Sequence, residues 1–303
     1  MRVLIVAGTH GNERNAPWLQ SYWRRQPEEL SIDGLEVVHL IGNPPAYSQN
    51  RRYIDRDLNR SFRSDLLDDS ANQEWELQRA RQLLALHGPQ GAQPAAVLID
   101  LHSTTAAMGS CLVIYGDRVE DLALAAACQG ALGLPVYLHG SDANQDGFMA
   151  KAWPCGLVLE VGPVAQGVIC PRICQQTGIG VHTLLELLAQ ARFGKLNLPN
   201  FLKVHRHLGS LDLPKDLEGN PIACLHPDRL KGDWQSLKSG DPLFVRPDGI
   251  VHLFKADSAD QFRTVFTNEA AYQEKNIALS LTRIEKIKTQ PEWLMALKAL
   301  LQG

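Results

Sequence analysis

Two apolar runs end in residues that can hold a metal ion. The first, RVLIVA, leads into Thr9-His10-Gly11-Asn12-Glu13, so an imidazole and a carboxylate stand three residues apart on a turn that Gly11 can tighten. The second, AAVLID, leads to His102 and then Ser-Thr-Thr. Two histidines and one glutamate form a common ligand set for catalytic zinc, with a fourth position left for water. A lone histidine at a strand end is more often a hydrogen-bonded structural residue. The case therefore rests on the joint placement of His10, Glu13 and His102 after strand carboxyl ends, where α/β folds put ligand sites.

Between these runs lies Asn43–Phe62, dense in Arg, Asn and Asp: Arg51, Arg52, Arg56 and Arg60 alternate with Asp55 and Asp57. Charge pattern alone favours a solvated loop laced with ion pairs. Asn59-Arg60 also offers a fork of donors suited to a carboxylate, and an arginine near zinc would stabilise an oxyanion. A further carboxylate, Glu160, ends the apolar run GLVLE. Partial desolvation there would raise its pKa toward the range useful for proton transfer; pairing with one of the arginines is the competing reading.

These groups need a scaffold that brings strand ends together. Continuous apolar runs at Arg2–Ala7, Leu35–Ile41, Ala95–Leu101, Cys111–Tyr115, Pro135–Leu138 and Gly156–Val161 read as strands covered on both faces. Amphipathic stretches at Ala16–Arg25, Ala71–His87, Glu120–Leu132 and Pro171–Phe193 read as helices, with Ser70 as N-cap of the second and Pro171 opening the last. The alternation predicts an α/β domain with a largely parallel or mixed sheet over residues 1–197. From 198 to 303, Gly, Pro and Asp punctuate short runs such as PIACLHP, DPLFV and RTVFTN, which predicts a smaller, mainly antiparallel β domain.

Composition sets few further limits. With 30 Lys+Arg against 33 Asp+Glu in 303 residues, no global field points to nucleic acid or to an anionic membrane. No apolar run reaches the roughly 20 residues of a membrane span. Six scattered cysteines without a CxxC pair read as reduced thiols, and the expected location is cytoplasmic.

In order and spacing, the blocks HGNE, NRRYIDRDLNRSF, DLHSTT, LEVGPVAQGV and VFTNEAAYQEK resemble the aspartoacylase family, a branch of the zinc carboxypeptidase-like amidohydrolases that includes aminoacylase 3. The resemblance covers nearly the whole chain; Glu120–Asp142 and the last ~25 residues match poorly. It implies a zinc-carboxypeptidase-like mixed-sheet catalytic domain and a β-rich domain covering the active site. It also implies one Zn2+ per subunit on His10, Glu13 and His102, with Asp57 orienting the first histidine. Arg52 would polarise the scissile carbonyl, Asn59 and Arg60 would clamp a substrate carboxylate, and Glu160 would act as general base and acid. Tyr272 would reach the substrate from the second domain. The implied partner is a small-molecule N-acyl amino acid, with the chain as a homo-oligomer. The implied reaction is hydrolysis of an N-acyl-L-amino acid, N-acyl-L-aspartate in the type member.

One departure bears on the substrate. Family members specific for N-acetylaspartate carry an Arg before the catalytic Glu for the second carboxylate. The corresponding stretch here, HGSDANQDGFMAKAWPCGLVLE, has none. Lys151, Lys275 and Arg56 are the cations to look at in its place. An N-acyl amino acid with an aromatic or neutral side chain, an N-succinyl amino acid and a peptide are the alternative substrates. A metal-dependent binding module is the non-enzymatic one.

Overall fold

Parity along the first strand organises the molecule. In β1 (Arg2–Ala7), Val3, Ile5 and Ala7 join one hydrophobic cluster while Leu4 and Val6 join another, so the strand is covered on both faces. The computed structural model describes residues 1–69, 71–140, 146–256 and 261–303. After β1 come α1 (Asn15–Trp23), β2 (Glu36–Ile41), α2 (Pro44–Ser48), α3 (Ser64–Leu67), α4 (Trp75–His87), β3 (Val97–Ser103) and β4 (Ser110–Tyr115). Next are α5 (Val119–Leu132), β5 (Val136–His139), β6 (Cys155–Val161) and α6 (Pro171–Arg192). The remainder holds β7 (Phe201–Asp212), β8 (Cys224–Leu225), β9 (Ser236–Leu237), β10 (Pro242–Val245), β11 (Val251–Leu253), β12 (Phe262–Val265), β13 (Ile277–Lys288) and α7 (Pro291–Gln302).

The sheet is mixed, as the sequence predicts. Ten strands run in the order β2-β1-β3-β6-β4-β5-β7-β13-β12-β9, and β8, β10 and β11 form a small antiparallel sheet. Strands β2, β1, β3 and β6 are mutually parallel; β4 meets β6 antiparallel. Helices α1, α5, α6 and α7 pack into the cluster on one face, and α4 contributes Ala80 and Leu83 to the other. A third cluster, including Leu225, Leu237, Phe244 and Leu279, serves the β-rich region.

Three features differ from the expected elements. The fourth helix begins at Trp75 rather than Ala71, because the Trp75 N–H donates to Asp55 Oδ2 at 2.7 Å; Ser70 lies outside the described residues. The sequence reading assigned neither β13 nor α7. β13 pairs with β7 along its whole length, and α7 buries Trp293, Leu297 and Leu301 in the same cluster as α5 and α6. Strand β7 also pairs in parallel with β5, so the β-rich region continues the main sheet. All six cysteines are unpaired, and no helix among the described residues is long and apolar enough to cross a membrane.

Candidate metal centre and active site

The same parity that divides the core builds the site. Leu98, Cys111, Val113, Tyr137 and Val158 face the second cluster, so residues two or four positions further on, Asp100, His102, Tyr115, His139 and Glu160, share that face. In register, His102 stands beside Glu160 on the neighbouring parallel strand. The loop after β1 adds His10 and Glu13. Gly11 is required there because a Cβ would lie 2.1 Å from the backbone of Ala46 in α2.

His10, Glu13 and His102 are buried, and their ligand atoms lie within 4.8 Å of one another. His10 Nδ1 is 2.6 Å from Glu13 Oε1, and His102 Nδ1 is 3.1 Å from Glu13 Oε2. Both imidazoles turn their other nitrogen to a carboxylate: His10 Nε2 to Asp57 Oδ1 at 3.0 Å and His102 Nε2 to Asp100 Oδ2 at 2.8 Å. A histidine that donates through Nε2 presents the Nδ1 lone pair, the arrangement that suits a metal ligand. Burial disfavours charge on His102, yet Asp100 and Glu13 hold its pKa well above the usual histidine value. Burial likewise opposes ionisation of Glu13 and Asp57, and the neighbouring imidazoles, with Arg52 for Asp57, hold both below the usual carboxylate range. Two imidazoles, each backed by a carboxylate, together with the Glu13 carboxylate form a donor set that fits a divalent ion.

The Arg-rich segment is held from below. Glu76, fully buried in α4, accepts the backbone N–H groups of Ile54, Asp55 and Arg56 at 2.6, 3.0 and 3.2 Å and the Asn43 amide at 2.8 Å. This fixes the turn between Arg52 and Asp57. Arg52 donates to Asp57 Oδ2 at 2.9 Å and stands 3.7 Å from Glu13; burial opposes its charge, but the two carboxylates hold its pKa up. Asn59 accepts the Met149 N–H at 2.9 Å through its side-chain oxygen, which leaves its amino group as the donor it can offer. Arg60 has no carboxylate within 4.0 Å among the described residues; its Nη1 donates to the Asn59 carbonyl at 2.8 Å.

One cleft collects these groups. His10, Glu13, Arg52, Asn59, Arg60, His102, Glu160 and Tyr272 all line it; Asp57 stands behind His10. Glu160 Oε2 is buried without a hydrogen-bond partner among the described residues. Burial pushes its pKa up to about 8; His102 opposes, and Glu13, Glu269 and Asp100 add to the rise. Burial raises the Tyr272 hydroxyl to about 12, so it remains a donor at neutral pH.

Of the three cations considered for a second carboxylate, Arg56 pairs with Glu74 at 2.8 Å and Lys151 with Asp146 at 2.7 Å, and neither lines the cleft. Lys275, three residues past Tyr272, has its pKa lowered by burial and by Arg60. The stretch before Glu160 that lacks an arginine includes 141–145, which lie outside the described residues.

The sequence reading missed Asp100, Glu76, Glu269 and the aromatic wall. Glu269 Oε2 accepts the N–H groups of Thr105 and Ala106 at 2.8 and 3.1 Å and the hydroxyls of Thr104 and Thr105, while Oε1 accepts the Ala271 N–H at 3.0 Å. It thereby ties the turn bearing Tyr272 to the loop just after His102. Asp100 alone had a signal, since i and i+2 on a strand share a face.

A model of the succinylglutamate desuccinylase/aspartoacylase catalytic domain matches residues 1–188, and one of the AstE/AspA barrel-sandwich hybrid domain matches 200–284. The chain belongs to the succinylglutamate desuccinylase/aspartoacylase family. A probable aspartoacylase of Prochlorococcus marinus (strain MIT 9313) is 52% identical over 300 residues, 99% of this chain and 98% of the relative. One of Parasynechococcus marenigrum (strain WH8102) is 54% identical over 299 residues, again covering 99% and 98%. Among solved structures, murine aminoacylase 3 superposes with a TM-score of 0.87 at 31% identity, covering 95% of this chain and 97% of that one. The chain is thus a hydrolase of the aspartoacylase/aminoacylase family with a His-Glu-His metal site.

Proposed function

We propose that this chain hydrolyses the amide bond of an N-acyl-L-amino acid, releasing a carboxylate and the free amino acid. The observation that supports this most is the meeting in one cleft of the His10-Glu13-His102 triad with a Glu160 carboxyl and an Arg60 guanidinium that have, among the described residues, no hydrogen-bond partner and no carboxylate respectively. The triad would hold one zinc ion, which when bound supplies a water of lowered pKa and a Lewis acid for the carbonyl oxygen. Glu160 takes the proton of the attacking water and returns it to the departing amine; a carboxyl raised by burial suits both steps. Arg52, fixed by Asp57, donates to the oxygen that becomes negative in the tetrahedral intermediate. The Asn59 amino group and Arg60 receive the α-carboxylate, and Tyr272 donates its hydroxyl to the substrate. Residues 198–303 would then act as a cover that carries part of the substrate site.

The relatives' names put N-acyl-L-aspartate first as substrate. The cleft wall favours a second reading. It is built of Val113, Tyr115, Tyr137, Phe148, Val158 and Phe266, and Arg52 and Arg60 are its only Arg or Lys among the described residues. An aromatic or neutral side chain fits that wall, whereas a second carboxylate would lack a dedicated cation. The deciding experiment loads the protein with zinc and measures kcat/KM on N-acetyl-L-aspartate, N-acetyl-L-phenylalanine, N-succinyl-L-glutamate and a dipeptide. Turnover of an acetylated amino acid with about one zinc per chain is expected. Zinc binding with no turnover of any of the four would reduce the protein to a metal-binding module, and preference for the succinyl compound or the peptide would replace the substrate class.

A further inference from the structure

The two cleft arginines are held in opposite ways. Arg52 is fixed by carboxylates, Asp57 at 2.9 Å and Glu13 at 3.7 Å. Arg60 lies against a ring: its Cζ is 4.2 Å from the Phe148 centroid, its Nη1 donates to the Asn59 carbonyl at 2.8 Å, and no carboxylate among the described residues pairs with it. Phe148 in turn stacks on Tyr115 at 4.0 Å and 22°, and the His139 ring edges it at 5.1 Å. The stack is buried, with Phe148 4% and Tyr115 7% exposed.

Phe148 and Arg60 are also joined through the backbone. Phe62 N–H donates to the Gly147 carbonyl at 3.1 Å, and Met149 N–H to Asn59 Oδ1 at 2.9 Å. Gly147 has φ +83, and a Cβ there would lie 2.6 Å from the Arg60 carbonyl, so only glycine allows the two segments to lie this close. Ring and guanidinium are therefore placed as a unit. A carboxylate partner would orient the guanidinium equally well but would cancel its charge. An aromatic face orients the plane and leaves the N–H fork and most of the positive field for a ligand.

We propose that Phe148 is the positioning residue of the carboxylate clamp: it sets the plane of Arg60 in advance of binding without neutralising it. The inference rests on the reading of Arg60 as the group that takes the substrate carboxylate. A guanidinium ordered before binding loses less rotamer freedom on complex formation, and that advantage is felt only by ligands bearing the carboxylate.

The test compares N-acetyl-L-phenylalanine with its carboxamide, which differ only in the group that meets Arg60. Binding is measured by calorimetry on the zinc-loaded Glu160→Gln protein, so that turnover does not interfere. Phe148→Leu keeps an apolar side chain and removes the π face; it is expected to weaken the carboxylate ligand about 5- to 30-fold and the carboxamide less than about twofold. Phe148→Tyr is expected to stay within about twofold of the parent on both. In an Arg60→Gln background, Phe148→Leu should add nothing further for the carboxylate. Equal weakening of both ligands would make Phe148 merely a wall of the cleft and overturn the proposal. Independently of any ligand, the Arg60 side-chain Hε resonance, assigned through Arg60→Lys, should carry an upfield ring-current shift that Phe148→Leu abolishes. An unmoved resonance also overturns it. If the parent binds neither ligand, the substrate reading fails and the resonance alone decides the platform.

Discussion

Asp100→Asn is the sharpest test of how the metal centre is built. Asp100 is fully buried; its Oδ1 accepts from Thr9 Oγ1 at 2.7 Å and its Oδ2 faces His102 Nε2 at 2.8 Å. This carboxylate places the hydrogen on Nε2 and leaves the Nδ1 lone pair, 3.1 Å from Glu13 Oε2, toward the ion. Asparagine has the same shape but one oxygen fewer. With its amino group toward His102, Nε2 must accept, the hydrogen moves to Nδ1 and that ligand is lost. With the amide reversed, the Thr9 hydroxyl turns to accept and the tautomer survives, but the negative charge that makes the imidazole a stronger donor is gone. The second arrangement is the milder and sets the floor, about a tenfold loss of zinc affinity. The first moves the loss toward about 100-fold, or about 1.4 to 2.8 kcal/mol in all. Competition with a chromophoric chelator at pH 7 measures it, with circular dichroism to show that the fold is kept. A folded Asp100→Asn protein that binds zinc within a factor of two of wild type would refute the argument.

Other outcomes follow from the same geometry. Glu160→Gln should retain zinc and lose about 10² to 10⁴ in kcat, read by metal analysis beside steady-state kinetics; near-wild-type turnover would remove Glu160 from proton transfer. Zinc binding at pH 7 should release protons. Asp100 and Glu13, overcoming burial, hold the His102 pKa well above 6.5, so the metal-free imidazole is protonated at pH 7 and must lose a proton to ligate. Apparent affinity should then rise with pH, about tenfold per unit for each proton displaced, up to that pKa; calorimetry in two buffers of different ionisation enthalpy counts the protons, and a count of zero contradicts the assignment. Glu269→Gln should raise KM and lower the thermal midpoint with zinc content unchanged. If the glutamine oxygen takes the Thr104–Ala106 donors, its amino group faces the Ala271 N–H, and a lost charge-assisted bond of this kind costs about 1.5 to 3 kcal/mol. Unchanged KM and midpoint would show that the turn bearing Tyr272 is held by other contacts.

How much of this was legible depends on how local each feature is. Strands buried on both faces advertise themselves as continuous apolar runs, which is why β1, β3, β4 and β6 are readable to within a residue or two. β13 is not so readable, because Arg283, Glu285, Lys286 and Lys288 fill its exposed half, and what makes it a strand is pairing with β7 some 70 residues earlier in the chain. The triad His10, Glu13 and His102 is readable because all three follow closely on two apolar runs. Asp100 could have been read from strand parity alone. Glu76 and Glu269 could not. The first meets its three backbone donors 20 to 22 residues away, and the second meets the His102 loop from more than 160 residues further on. Nothing near either position marks it as more than a surface glutamate.

The arginines show the limit most clearly, because residues of one segment meet quite different surroundings. Arg56 is the partly exposed ion-paired arginine that charge pattern favours, bonded to Glu74. Arg52 is also ion-paired, but to the carboxylates that surround the metal ligands, so its charge belongs to the centre. Arg60 lines the cleft with no carboxylate within 4.0 Å among the described residues, and Arg51, likewise unpaired among them, is exposed outside the cleft. Four arginines within ten residues look alike in sequence, and composition assigns them one average role. What separates three of them is the partner each meets: Glu74 at a helix start for Arg56, the part-buried Asp57 five residues on for Arg52, and the face of a phenylalanine 88 residues away for Arg60. A guanidinium that meets a ring instead of a carboxylate keeps its charge for a ligand, and on that contrast the proposed clamp role of Arg60 rests.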